Sequence, residues 1–103
     1  LYKSNRQIKN SIKVMGAVSI HEVASKKVYR NAVEAYKDLV DNALHQYGHD
    51  PYSGTIATTE LQGKISEPKD DVAFFKQLDA IHKRDCWYYE TDEHYHFIGW
   101  AAS

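Results

Sequence analysis

Apolar residues change their spacing several times along this chain, and each change marks an element. From Ile12 to Val23 the pattern alternates, with Ile12, Val14, Gly16, Val18 and Ile20 on one side and Lys13, Met15, Ala17, Ser19 and His21 on the other. A period of two belongs to a half-buried strand, and Gly16 is its weak point or a bulge. Residues 1–11 are polar and basic, and Leu1 and Ile8 are too sparse to make a face. They predict a basic N-terminal arm ahead of a single domain over 12–103.

The period then lengthens. Val28, Ala32, Tyr36, Leu39, Val40, Ala43, Leu44 and Tyr47 recur at intervals of three and four, the stripe of an amphipathic helix. Ser25 is placed to cap its start, Gly48 to end it in a left-handed turn, and Pro51 to forbid its resumption. Tyr52 to Thr59 is rich in β-branched residues and predicts a short strand. Glu60 to Lys69, holding Gly63 and Pro68, predicts a connection. A second helix is expected from about Asp71 to Lys83, capped by Asp70 or Asp71. Its stripe is Val72, Phe75, Leu78 and Ile81 or His82, with Phe74 on the flank. Cys86 to Glu90 and His94 to Ala102 are aromatic, β-branched runs around a polar break, a hairpin signal.

The order β-α-β-α-β-β with two amphipathic helices predicts an α+β fold. The expected form is a two-layer sandwich with both helices on one face of a small sheet. No run of eighteen apolar residues occurs, so no membrane-spanning helix is expected. No charged-then-apolar leader argues for secretion. The single cysteine, Cys86, excludes an internal disulfide framework, and a cytoplasmic setting is the default expectation. Cys86 itself reads as a buried structural thiol, since no base or family signature accompanies it.

Charge changes the picture more than composition does. The net charge is −1, yet residues 1–30 balance to +6 and the remainder to −7. Lys3, Arg6, Lys9, Lys13, Lys26, Lys27 and Arg30 are therefore the candidate binding residues, for a partner protein or for nucleic acid. Such a surface would attract RNA or DNA phosphates through counterion release, with Tyr2, Tyr29, Tyr88 or Tyr89 stacking on bases. The acids Asp70, Asp71, Asp79, Glu90, Asp92 and Glu93 are the competing surface, as mimics of nucleic-acid phosphates. A polarised protein also suits electrostatically steered docking.

Six histidines raise a metal hypothesis. His94 and His96 would share one face of a strand, with Asp92 or Glu90 near enough to complete a site. No further ligand is evident, because His21, His45, His49 and His82 lie on other elements. The simpler reading turns Tyr95 and Phe97 inward and both histidines to solvent. His49-Asp50 near Ser53 has the makings of a general-base pair, but Asp50-Pro51 is ordinary turn chemistry. The isolated glycines form no phosphate-binding or dinucleotide fingerprint. No catalytic residue, metal or cofactor is assigned.

Residues 32–59 carry Ala-Tyr, Ala-Leu and the run Tyr-Gly-His-Asp-Pro-Tyr-Ser-Gly-Thr-Ile-Ala-Thr-Thr. This segment resembles one found in small phage and mobile-element proteins, where a helix ending at Tyr-Gly leads into a strand. The resemblance implies an origin and brings no site residues. Proteins of that origin include inhibitors of host defence, anti-CRISPR proteins among them, which implies a non-enzymatic protein in the host cytoplasm. It would block a host protein or ribonucleoprotein, such as a CRISPR effector, by stoichiometric binding. A nucleic-acid-binding module using the basic N-terminal third is the second expectation, and a metal-dependent enzyme built on His94 and His96 the third.

Overall fold

The computed structural model describes residues 13–14 and 16–103; the arm over 1–11, with Ile12 and Met15, lies outside the described residues. The described chain is a mixed α+β domain of one sheet and two helices. Its elements are β1 (Lys13–Val14), β2 (Ala17–Ser25), α1 (Ala32–Tyr47), a 3₁₀ turn (Ile56–Thr58), β3 (Glu60–Lys64), α2 (Asp71–Ala80), β4 (Asp85–Glu90) and β5 (His94–Ala102). The sheet order is β1-β2-β5-β4-β3, antiparallel except for the parallel pair β3–β4.

The first alternating run is two strands. Gly16, at φ 83°, makes a tight reversal that pairs Lys13 with Val18 and Val14 with Ala17, a conformation open to glycine because it has no Cβ. The first helix starts later than Ser25 because a better cap lies downstream. Asn31 accepts from the Glu34 N–H at 2.9 Å, while Glu34 accepts from the Arg30 N–H at 2.9 Å, which satisfies two backbone donors reciprocally. Ser25 instead caps a turn, accepting from the Lys27 N–H at 3.1 Å. Gly48 does end the helix, at φ 82°.

The run 52–59 is not a strand. Its threonines bond to the local backbone: Thr58 Oγ1 donates to the Thr55 carbonyl at 2.9 Å and Thr59 Oγ1 to the Ile56 carbonyl at 2.7 Å. Thr55 Oγ1 also accepts from the Ala57 N–H at 3.3 Å. Hydroxyls that satisfy their own backbone compete with a sheet ladder, and here they hold the 3₁₀ turn. The strand lies just beyond, at Glu60–Lys64, in the stretch expected to be a connection. Gly63 fits there because the Trp87 ring packs over it, 3.3 Å from where a Cβ would stand.

The helices cover opposite faces, so the fold has three layers where two were expected. Tyr36 of α1 packs on Phe97, with ring centroids 5.8 Å apart. Phe74 of α2 packs on His21 at 5.2 Å, and Trp100 Nε1 donates to the Leu78 carbonyl at 2.8 Å. Phe97 and Trp100 are an odd number of residues apart on β5, so they point to opposite faces. The main core lies on the α1 side, where Phe97, Cys86, Ala101 and Ile56 are all at most 2% exposed. Placing Tyr95 and Phe97 inward is borne out, and Cys86 is buried. No described helix is long and apolar enough to cross a membrane.

Candidate functional site

The seating of α2 differs from the stripe read off its sequence, and that difference opens a site. Asp70 caps the helix as expected, accepting from the Ala73 N–H at 2.8 Å. The face that meets the sheet runs through Phe74 and Leu78, the latter 4% exposed. Val72 and Phe75, expected to be core, stand 66% and 54% exposed. The signal was present in the sequence, because Phe74, Leu78 and Ile81 form an equally regular stripe at spacings of four and three. Adjacent phenylalanines cannot both face one sheet, and periodicity alone does not say which of them does.

A groove of about 970 Å³ runs past β2 between the two helices. Leu39, Ala43 and Tyr47 of α1 form one wall; Asp71, Phe74 and Phe75 of α2 form the other. Ser19 to Glu22 of β2 and the loop at Gly54 to Ile56 line the space between them. Tyr47, at the end of α1, is 58% exposed. Thus each wall carries a large aromatic side chain open to solvent. The described lining includes the carboxylates Glu22, Asp70 and Asp71 and no Lys or Arg. Glu22 is open to solvent, but the concave surroundings strip part of its hydration, and this desolvation raises its carboxyl above the usual range.

A histidine and aromatic cluster borders this groove. The β2–β5 register pairs His21 with Ile98 and Val23 with His96, which brings His21 and His96 diagonally together. Their ring nitrogens, Nε2 of His21 and Nδ1 of His96, are 3.0 Å apart. Tyr89 stacks on His96 at 4.7 Å with rings within 7° of parallel. His96 is half-buried, and desolvation, followed by the nearby His21 and His94, lowers its pKa to about 4. The sheet thus joins two histidines that sequence spacing kept on separate elements, while His94 remains exposed. Among the described residues, no group of three His, Cys, Asp or Glu side chains is placed to hold a metal ion. The arrangement is a packed imidazole and aromatic cluster at the edge of the α2 layer.

Cys86 lies on the other face, fully buried, and burial pushes its thiol up to about 12. A thiol so protonated is a poor nucleophile.

The described members of the candidate basic set fall in two places. Lys3, Arg6 and Lys9 lie outside the described residues. Lys13 stands opposite Val18 near the start of β2, whereas Lys26, Lys27 and Arg30 follow its far end, about 25 Å away at the rise of an extended strand. Lys26 bonds Glu90 at 2.8 Å, and Arg30 bonds Glu34 at 3.1 Å. Lys64 joins the same Glu90 at 3.3 Å, and these partners, Lys26 first, hold the Glu90 carboxyl below the usual range. The acids are spread over several elements: Asp70 and Asp71 line the groove, Asp79 lies further along α2, Glu90 ends β4, and Asp92 and Glu93 lie in the turn before β5. Compared with protein-family models, curated proteins and solved structures, the chain matches none.

Proposed function

We propose that this protein acts by binding, occupying a surface of a host defence protein or ribonucleoprotein stoichiometrically and without turning over a substrate. The carrying observation is the groove between the helices, with Tyr47 and Phe75 exposed on its walls and acids along its lining. Exposed aromatic side chains beside a concave surface are the usual anchors of protein recognition. The partner class, with a CRISPR effector as the leading case, follows only from the resemblance read in residues 32–59, whose helix-to-strand step is here a helix followed by a 3₁₀ turn. Action on such a partner would take place in the host cytoplasm. An acidic surface suits proteins that handle nucleic acid, because they carry the opposite charge.

The test mixes the purified protein with a purified CRISPR effector and follows complex formation by size-exclusion chromatography and target cleavage by gel. A one-to-one complex whose cleavage falls in proportion to added protein is the expected result. Inhibition at far below one equivalent would show turnover and overturn the reading. Retention of RNA or DNA alone, weakening steeply with salt and lost when Lys26, Lys27 and Arg30 become Glu, would replace it with a nucleic-acid-binding function.

A further inference from the structure

The groove has a chemistry more specific than general stickiness. Its described lining combines Ile20, Leu39, Phe74 and Leu78 with three carboxylates and no Lys or Arg. Tyr47 and Phe75 stand on opposite walls, each more than half exposed. The N-terminal end of α2 brings a partial positive charge to one wall. Asp70, as its cap, and Asp71, in its first turn, already oppose that charge. The surplus at the lining is therefore negative.

We propose that this groove is the docking site for a positively charged, amphipathic peptide segment of a partner protein. Its Lys or Arg side chains face Glu22, Asp70 and Asp71, and an apolar side chain enters between Tyr47 and Phe75. The proposal rests on the binding function above and names the kind of segment that function recognises. Charge complementarity selects the occupant: an acidic segment would be repelled, and a purely apolar one would desolvate the carboxylates without bringing a counter-charge. Glu22 gives the preference its local cause. Its carboxylate is partly stripped of water in the groove, and an incoming cation supplies the partner that the lining does not.

The test uses a fluorescein-labelled peptide of about eight residues alternating Lys and Leu, which spans about 26 Å when extended, comparable with the 26 Å short dimension of the domain. Fluorescence anisotropy with the full chain is expected to show binding that weakens with added salt. The same peptide with Glu for Lys should not bind. Glu22→Gln with Asp71→Asn should weaken binding about tenfold, the sum of several modest charge pairs. Phe75→Ser should do so by a similar factor through loss of an aromatic anchor. Asp71 and Phe75 are exposed, and circular dichroism confirms that each variant is folded.

Equal binding of the Lys and Glu peptides, or unchanged binding in both variants, overturns the proposal. So does binding that appears only once Lys3, Arg6 and Lys9 are changed to Glu, which would make the chain's own basic residues the competitor for the groove. Absence of binding in the native chain and in that variant also overturns it. A one-to-one effector complex unaffected by Glu22→Gln with Asp71→Asn would leave the binding function standing and remove the groove. Peptide binding without any effect on a defence protein would do the reverse.

Discussion

Gly99→Ala should be the most damaging single methyl addition to this protein. Gly99 pairs with Cys86 where β5 crosses β4. A Cβ built there overlaps the Asp85 carbonyl oxygen and stands 3.1 Å from Cys86 Cα and 3.2 Å from the Asp85 carbonyl carbon. All three are backbone atoms, so no rotamer change relieves the overlap. The two strands must separate by about 1 Å to restore an ordinary contact, and packed interiors resist such shifts at about 1–3 kcal/mol. Separation also weakens neighbouring ladder bonds, including the Arg84 N–H to the Trp100 carbonyl at 2.7 Å, at about 1 kcal/mol each. Alanine recovers up to about 1 kcal/mol by restricting the unfolded chain. The net loss is about 3 kcal/mol, a large share of the 5–15 kcal/mol that holds a domain folded. For a chain of this size that lowers Tm by about 12–24 °C. Thermal melts followed by circular dichroism measure it directly. Gly48→Ala separates backbone strain from overlap, since nothing lies within 4 Å of a Cβ there and only the backbone at φ 82°, ψ −173° is strained, at about 1–3 kcal/mol. A Gly99→Ala melt within a few degrees of the native one would refute the reasoning.

Two further outcomes follow from the ionisable groups. His96 titrates near 6.5 when unfolded and near 4 when folded, so between those values the unfolded chain binds more protons and stability rises with pH. The contribution, about 1–3 kcal/mol, is complete above the unfolded pKa and lost as the pH falls toward 4. Urea unfolding at several pH values should show it, and His96→Asn should flatten the slope. Glu22, with its raised pKa, contributes with the opposite sign, losing stability as pH rises through its folded value. Both proteins are therefore best compared in a Glu22→Gln background, where identical slopes would contradict the account. Cys86, 0% exposed and protonated up to about 12, should resist a thiol reagent at pH 8 in the native protein and react fully once unfolded. Labelling of the native protein at the rate of a free thiol would contradict its burial.

Several features follow from sequence alone because their causes are local. The long helix, its Gly48 end, the Asp70 cap and the hairpin of β4 and β5 each depend on residues within a few positions of one another. The alternation in β5 also identifies Tyr95 and Phe97 as core, since a strand's side chains change face at every residue. Local chemistry misled where two local solutions compete. Asn31 with Glu34 outbids Ser25 as a cap, and the hydroxyls of Thr55, Thr58 and Thr59 bond the nearby backbone and hold a turn where β-propensity predicts a strand. What tertiary structure decided is which side of the sheet each helix covers. An amphipathic stripe says that a helix must be covered, not by which face, and Phe74 and Phe75 made two stripes almost equivalent. Seating α2 on His21 and Trp100, opposite α1, chose between them and left Phe75 on the wall of a groove. The same sheet register joined His21 to His96 across 75 positions of sequence. The candidate site is a product of pairing and layering, so no local pattern in the chain could spell it out.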